Sequence, residues 1–358
     1  MYEKLLNLCK VWYNIGVGII FSTNALANFF ARKESDIVGK SVKYTPLRLV
    51  DQHSLAIREF EKARALRTIG GAEDEVGAAC DYAVNRIYEL NGIRTGMKLT
   101  PEMENRVLYQ SYDYAIATVV AAYWRKCKQV FSFSKDFYDM LLDMDDFEIG
   151  WSLFDYLPYE AFYLELENHE SVEGIMVKYT KAPKRSIMYT ICGKAGKTQT
   201  INSGMVDPRE SASYKSFFET EVYCSNADMN DPHVVMVRQI LAFVLQACMY
   251  LCAKNADIEE NEVQKRIYRK PTTIKDRFSE IQKWDVGVRV VREHKAAAKV
   301  GPKPAEVSGE RRRPRQHWRK AHWHTYWVGK GRAQKALKFV APVLVNDADD
   351  DTPVVVHQ

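Results

Sequence analysis

The most apolar segment of this chain runs from Val234 to Ala253, and it constrains the fold more than any other feature. Arg238, Gln239 and Gln246 interrupt it, so its nearly unbroken apolar stretches are too short to cross a bilayer. Asp231-Pro232, just before it, combines a capping side chain with a residue suited to the first turn of a helix. The segment therefore predicts a long helix buried in a protein core, and it does not imply a membrane.

The pattern of the chain changes near Pro158 from helical to strand-like. Residues 1–125 are typical of helices, and Thr100-Pro101-Glu102 and Ser134 supply capping residues for two helix starts. After Pro158, short β-branched or aromatic stretches between turn residues predict an antiparallel meander. These stretches are Ala161–Leu166, Gly174–Thr180, Ser186–Cys192 and Thr198–Met205. We expect an α+β fold with a helical N-terminal part, this meander, the long buried helix and a basic C-terminal arm with a small aromatic β-hairpin.

Composition divides the 358 residues into five regions. They are a helical region at 1–156, an α+β core at 157–295, a basic flexible linker at 296–316, a His- and Trp-rich basic module at 317–346 and an acidic disordered tail at 347–358. The linker is predicted because Ala296–Arg315 is rich in Pro, Gly and charge and has little to bury. Within the core, Glu259–Arg292 is predicted to form a helix and a loop.

Charge is distributed unevenly along the chain. The window from Arg289 to Lys338 holds 15 Lys or Arg against 3 Asp or Glu and carries +12. Because the whole chain carries +5, the remainder carries −7. A basic segment attached to an acidic body indicates a partner with phosphates or an acidic surface for the segment, and a different role for the body.

Cysteine usage indicates a reducing compartment. The seven cysteines are odd in number and include no CxxC pair, which argues against a disulfide framework and favours reduced thiols in a cytosol. The apolar stretch Val11–Phe21 resembles part of an export signal. Glu3 and Asn14 disturb that pattern, so we favour an amphipathic helix there.

Three segments contain residue types that bind phosphates or metals, and each has a simpler interpretation. Gly196-Lys197-Thr198 resembles the end of a phosphate-binding loop, but Ile191 stands where that loop needs glycine, so a hairpin turn is favoured. Cys248 and Cys252, one helical turn apart, are expected to be small core residues. A solvated helix end is expected for the acidic residues Asp143, Asp145, Asp146 and Glu148. We therefore expect no metal and no cofactor.

The segment from Arg311 to Arg332 holds three of the eight histidines and three of the seven tryptophans. Alternation along a strand at 321–327 would create two faces. One carries His322, His324 and Tyr326, and the other carries Trp323, Thr325 and Trp327. Gly329 and Gly331 supply a turn, after which a second strand ending near Pro342 faces the tryptophans with Leu337, Phe339 and Ala341.

This module has a structural and a functional interpretation. In the structural one, the tryptophans fix the hairpin onto the body and point inward. In the functional one, Arg and Lys neutralise phosphates while His, Tyr and Trp stack on unpaired bases. The candidate RNA- or ribosome-binding residues are Arg311, Arg312, Arg313, Arg315, His317, Arg319, Lys320, His322, His324, Tyr326, Lys330 and Arg332.

The histidines also allow a catalytic interpretation. His322 and His324 are candidates for the general base and acid of metal-free RNA cleavage, with Arg or Lys on the phosphate. A zinc site is disfavoured because no cysteine or carboxylate lies among the histidines to complete a ligand set. Whether the chain is an enzyme stays open at this point.

The order of motifs in the module resembles a known family. His317-Trp318-Arg319 is followed by His-Trp-His-Thr-Tyr-Trp at 322–327, by Gly329-Lys330-Gly331 and by Pro-Val-Leu-Val-Asn at 342–346. This order resembles phage and plasmid proteins that include a type V-A anti-CRISPR inhibitor, which blocks production of the CRISPR effector nuclease. Weaker matches upstream, such as Ala122–Arg125, extend the resemblance over roughly Tyr114–Asn346.

The resemblance implies a mechanism and partners. Family members are understood to recognise the N-terminal part of the effector as it emerges from the ribosome, after which its mRNA is lost. The implied partners are that nascent peptide, the mRNA or ribosome and, as a further candidate, a host ribonuclease. The acidic body would bind the peptide, for example at a strand edge, while the basic module would contact RNA or the ribosome. No peptide-contacting residue is identifiable from the sequence.

Three functions therefore compete. The leading hypothesis is a cytoplasmic counter-defence protein that acts on messages being translated. The second is an RNA-cleaving enzyme that uses His322 and His324. The third is a general RNA- or ribosome-binding accessory protein of a mobile element without an anti-CRISPR role.

Overall fold

A seven-stranded mixed β-sheet separates two helical layers in the computed structural model of the protein. The structure describes residues 45–66, 71–94, 97–144, 151–194, 200–206, 231–261, 281–300, 317–332 and 334–345. The predicted N-terminal amphipathic helix, the turn at Gly196-Lys197-Thr198 and the acidic tail lie outside these residues. The α+β class is confirmed.

Among the described residues, the first layer contains four helices. They are α1 (Thr45–Gln52), α2 (Ser54–Leu66), α3 (Ala72–Leu90) and α4 (Pro101–Cys127). The predicted start of α4 is confirmed, because the Thr100 hydroxyl accepts the N–H of Met103 and Pro101 occupies the first turn. The helix ends at Lys128, which adopts a left-handed conformation and donates its N–H to the Trp124 carbonyl.

The sheet combines a meander with a parallel centre. Its strands are β1 (Gln129–Phe133), β2 (Ala161–Leu166), β3 (Val172–Thr180), β4 (Ser186–Gly193), β5 (Thr200–Val206), β6 (Ile258–Glu260) and β7 (Gln282–Val286). Their order across the sheet is β5-β4-β3-β2-β1-β7-β6. Consecutive strands from β2 to β5 pair antiparallel, which confirms the predicted meander. β1 pairs parallel with both β2 and β7.

Alternation along the strands supplies both layers with apolar side chains. On β2, Phe162 and Leu164 enter the core of the second layer, whereas Tyr163 enters the core beneath α1–α4. On β4, Tyr189 and Met188 divide in the same way. The sheet is therefore buried on both faces, as expected of strands that read as nearly continuous apolar runs.

The long apolar helix lies at the centre of the second layer. This layer contains α5 (Lys135–Leu142), α6 (Pro232–Cys252) and α7 (Val288–Val300). Both predicted caps are confirmed, because Ser134 accepts the N–H of Phe137 and Asp231 accepts the N–H of His233. By length and composition α6 could cross a membrane, but 78% of its most apolar window is buried inside the protein. The prediction of a buried core helix is confirmed.

Two predictions concern the region after α6. The described parts of Glu259–Arg292, expected to form a helix and a loop, belong to β6, β7 and the start of α7, and residues 262–280 lie outside the description. The flexible linker expected from residue 296 does not begin there, because α7 continues to Val300. The helix continues through Ala296-Ala297-Ala298-Lys299 because alanine has the highest helix propensity. The Pro, Gly and charge content of the longer segment 296–315 did not reveal this helical end. Residues 301–316 lie outside the description.

Gly287 joins β7 to α7 in a conformation that suits glycine. Its φ is +73°, and a Cβ added to it would lie 2.6 Å from the ring of Phe137 on α5. Asp257 fixes the same junction, since its carbonyl oxygen accepts the Gly287 N–H at 2.8 Å and its carboxylate accepts the Arg289 N–H at 2.6 Å. The end of the parallel centre is therefore closely packed.

We predict that Gly287→Ala destabilises the protein by about 2–4 kcal/mol, because it adds left-handed strain and a clash with Phe137. Gly77→Ala within α3 is the matched control, because a Cβ there meets nothing within 4 Å. That control should stabilise the protein by about 0.5–1 kcal/mol through helix propensity. Denaturant unfolding measures both changes, and equal stabilities of the two variants would contradict the described junction.

Candidate functional site

The C-terminal module forms the predicted hairpin. β9 (His322–Val328) pairs antiparallel with β10 (Gln334–Val340), with His322 opposite Val340 and Val328 opposite Gln334. Gly329 and Gly331 turn the chain with φ of +84° and +74°, which confirms their predicted role. β8 (His317–Arg319) pairs with β11 (Val343–Val345) in a separate two-stranded sheet.

One end of the hairpin, here called the root (Trp323, Leu337 and Phe339), is packed on the body. The Trp323 ring lies 5.3 Å from Phe339 and 6.5 Å from Tyr250 of α6, centroid to centroid. Its Nε1–H donates to Oε1 of Gln246 at 2.7 Å. Gln246, one of the three polar residues that interrupt the apolar helix, is 1% exposed and serves as a buried acceptor for the hairpin.

The chain after α6 holds β10 through its backbone. Asn255 donates its side-chain N–H to the Phe339 carbonyl at 2.8 Å and accepts the Phe339 N–H at 2.9 Å. The Lys254 N–H donates to the Leu337 carbonyl at 3.0 Å. These three hydrogen bonds, together with the apolar root, fix the position of the hairpin relative to α6.

The histidine face of β9 is aromatic and cationic. His324 stacks on Tyr326 with ring centroids 6.1 Å apart and an interplanar angle of 16°. The Lys254 ammonium lies 5.9 Å from the centroid of the Tyr326 ring, and Lys338 stands opposite His324 in the strand register. His322 shares this face and lies 3.3 Å, through Nδ1, from the Lys320 carbonyl.

The prediction that the tryptophans all point inward is wrong for Trp327. Trp323 is largely covered by the body, whereas Trp327 is 53% exposed although it lies on the same face of β9. Four residues of strand separate them by about 13 Å, so the outer part of the hairpin extends past the body. The Lys335 ammonium lies 5.4 Å from the centroid of the Trp327 ring.

The cationic candidates divide between exposed residues and residues outside the description. Arg319, Lys320, Lys330 and Arg332 are exposed, and Lys320 forms an ion pair of 2.7 Å with Asp143. The structure also exposes two lysines that the sequence-based list omitted, Lys335 and Lys338. Their position in β10 opposite Trp327 and His324 was readable from the hairpin register. Arg311, Arg312, Arg313 and Arg315 lie outside the described residues, as does the side chain of His317.

The described residues contain neither a cluster of metal ligands nor an activated thiol at Cys248 or Cys252. Over the residues that the structure covers, no group of three or more His, Cys, Asp or Glu side chains is placed to hold a metal ion. Burial raises the pKa of the Cys252 thiol to about 12 and holds that of Cys248 well above its ordinary value. These thiols are therefore protonated, and the prediction that Cys248 is a small core residue is confirmed.

The sequence did not reveal a cavity of about 710 Å³ at the carboxyl ends of β1 and β2. Phe133, Leu166 and Met236 contribute apolar lining, and Glu167 and Glu170 contribute carboxylates. Open sheets with parallel strands commonly bind ligands at this end. No motif signals the cavity, because its residues come from α5, α6, four strands of the sheet and the turn between β2 and β3.

A buried ion pair on the opposite face of the sheet was also missed. Lys178 of β3 is 1% exposed, and its ammonium lies 2.9 Å from Glu75 of α3 and 2.7 Å from the Thr180 hydroxyl. The Tyr123 hydroxyl donates to Glu75, and burial together with this hydrogen bond raises the pKa of Tyr123. The ammonium also lies 4.3 Å from the Tyr123 ring centroid. This buried charge cluster joins α3 and α4 to the sheet.

The chain belongs to a class of counter-defence proteins, the type V anti-CRISPR proteins. Residues 131–347 match the model of the anti-CRISPR type V subtype A2 family, described as AcrVA2-like, and the chain belongs to that family. The match begins within β1, runs through β11 and leaves all of α1–α4 outside it.

Comparisons with solved structures and with curated proteins contribute less to the family assignment than the family model does. The crystal structure of AcrVA2 aligns with 89% of this chain and 99% of that chain, at 14% sequence identity and a TM-score of 0.47. No protein with a curated description matches the chain. The family assignment therefore rests on the family model.

We predict that Trp323→Ala destabilises the protein by about 3 kcal/mol, because it removes root packing and leaves Gln246 buried without its donor. His324→Ala should change stability by about 0.5 kcal/mol or less, because the ring is exposed. Thermal melting compares the two variants. Equal losses, or a larger loss for His324→Ala, would contradict the assignment of the two strand faces.

Proposed function

We propose that this anti-CRISPR protein acts in the cytoplasm of the bacterial host, where it recognises the nascent N-terminal peptide of a type V-A effector nuclease and causes loss of the effector mRNA. One observation carries the proposal. In this AcrVA2-like protein the root of the hairpin is fixed to the body, while aromatic and cationic side chains of the hairpin face solvent. Such a surface suits the phosphates and unpaired bases of a translating complex.

The acidic body is the candidate for peptide binding. Addition of a strand at β5 is disfavoured, because the Ser203 N–H already donates to the Asp113 carboxylate. The other edge strand, β6, has only three residues and exposes Glu259 and Glu260. The cavity beside Met236 is the better candidate, because its volume of about 710 Å³ and partly apolar lining accommodate several peptide side chains.

In this proposal the hairpin and the body have different roles. Phosphate contacts carry no sequence information, so a cationic hairpin supplies affinity for any RNA. Choice of one message then has to come from the peptide. The proposal therefore requires translation of the effector codons, and not their mere presence in the RNA.

A reporter fused to the N-terminal codons of the effector tests this requirement. We expect the protein to silence the in-frame reporter and to spare a control in which two compensating frameshifts change the peptide but leave the RNA nearly unchanged. Reporter protein and reporter mRNA are measured together in a host without other phage genes. Equal silencing of both reporters would exclude peptide recognition.

A second candidate function is RNA cleavage by the hairpin itself. It is favoured by the placement of His322 and His324 on one face of β9, with Lys338 opposite His324. One histidine would remove the proton of a ribose hydroxyl and the other would protonate the leaving oxygen, while the lysine stabilises the phosphate. This function would replace recruitment of a host ribonuclease.

Incubation of the purified protein with bare RNA separates the two candidates. Intrinsic cleavage should survive a chelator and fall by at least about 100-fold in the variant His322→Ala/His324→Ala, as expected for loss of a general acid and base. Thr325→Ala on the other face is the control. Intact RNA after prolonged incubation with active protein would reject the enzyme and leave recruitment.

A further inference from the structure

We infer that the outer end of the hairpin, here called the tip (Trp327, Lys330, Arg332 and Lys335), binds an unpaired segment of RNA, with a base stacked on Trp327. This inference rests on the proposed function, which requires contact with RNA or the ribosome but does not locate that contact on the hairpin. It names a single strand as the ligand and an indole as the group that holds it.

The exposure of Trp327 is the first argument. A tryptophan that only stabilised the hairpin would be covered by the body, as Trp323 is. Trp327 is instead 53% exposed, and it extends from a strand whose other end is anchored. An exposed indole on a fixed support loses little entropy when it stacks on a base, so its binding geometry is formed in advance.

The placement of cations around the indole is the second argument. The Lys335 ammonium lies 5.4 Å from the ring centroid, so a charge and an aromatic plane are presented together. Lys330 and Arg332 are exposed in the adjoining turn. A nucleotide needs this combination, because its base stacks on an aromatic plane while its phosphate pairs with a nearby cation.

The turn leaves space for a strand to approach. Gly329 and Gly331 both have positive φ, and a Cβ added to either would meet nothing within 4 Å. The backbone of the tip is therefore bare on the side where these glycines lie. On the opposite face of β9, His324 and Tyr326 form a second stack beside Lys254. Aromatic planes with adjacent cations are thus available on both faces of the hairpin.

These features favour a single strand over a duplex. Paired bases are stacked on one another and do not offer their planes to a side chain, and the deep major groove of an RNA helix excludes side chains. Cations alone would bind duplex and single strand alike. An accessible indole adds affinity for unpaired bases only. The source is either the message or an exposed loop of ribosomal RNA, since both present the same chemistry.

Fluorescence anisotropy with the full chain tests the inference. The probes are a labelled, unstructured RNA of about 12 nucleotides, within the range that such surfaces cover, and the matching duplex. We expect the single strand to bind more tightly than the duplex. Trp327→Ala should weaken single-strand binding by about 5- to 150-fold, because one stacked base is lost, without changing its dependence on salt.

Two control variants separate stacking from charge. Thr325→Ala, on the same face and also exposed, should bind as the wild type does. Lys330→Ala/Arg332→Ala should lower the slope of log affinity against log salt by about 1.4, because two phosphate contacts are lost. Trp327→Phe keeps an aromatic plane and should recover most of the affinity, which shows that a loss in Trp327→Ala is not misfolding.

Equal binding of the two probes, or unchanged binding by Trp327→Ala, would overturn the inference in favour of a purely electrostatic or protein-contacting surface. Crosslinking of the wild-type protein to RNA in a translating lysate distinguishes the two sources of the single strand. Crosslinks to mRNA identify the message and crosslinks to ribosomal RNA identify a ribosomal loop, and either result supports the single-strand site. Failure of this site and failure of the proposed function give different results. A Trp327→Ala variant that loses RNA binding but still silences the reporter confirms the site and refutes its use in silencing.

Discussion

Burial of one apolar helix is the constraint on which the rest of this structure depends. From Ile240 to Leu251 every residue of helix α6 is buried, so this part of the helix needs cover from several directions. The sheet covers one side, and α5, the turn at Trp151–Tyr156 and the hairpin root contribute to the same core. The hairpin is therefore more than an appended arm. Its root is part of the core, and Gln246 inside α6 is placed to receive it.

Short-range signals in the sequence were sufficient to predict the helix starts, the meander and the hairpin. Thr100, Ser134 and Asp231 marked helix starts because a capping side chain acts within three residues of itself. The meander was readable because its strands are consecutive and separated by turns. The hairpin was readable for the same reason, since Gly329 and Gly331 lie between two alternating runs.

Elements that depend on distant partners were not readable. β7 carries Lys283 and Asp285, and their charges hide a strand that sits beside β1 in the sheet. Lys283 pairs with Glu165 of β2, and Asp285 accepts hydrogen bonds from Asn261, so these charges are satisfied by residues that the local sequence does not reveal. The same limit applies to Trp327. Alternation assigns a residue to a face of a strand, but it does not tell how far the body extends beneath that face.

The parallel pairing of β1 with β7 also sets an order of assembly. The two strands are separated by roughly 150 residues, so their hydrogen bonds form only after most of the chain has left the ribosome. The residues that receive the hairpin, in α6 and at Lys254 and Asn255, are synthesised before it. The hairpin is therefore positioned last, and a truncated product that ends before residue 317 would leave Gln246 of α6 without its Trp323 donor. Complete synthesis is thus a precondition for closing the core around α6.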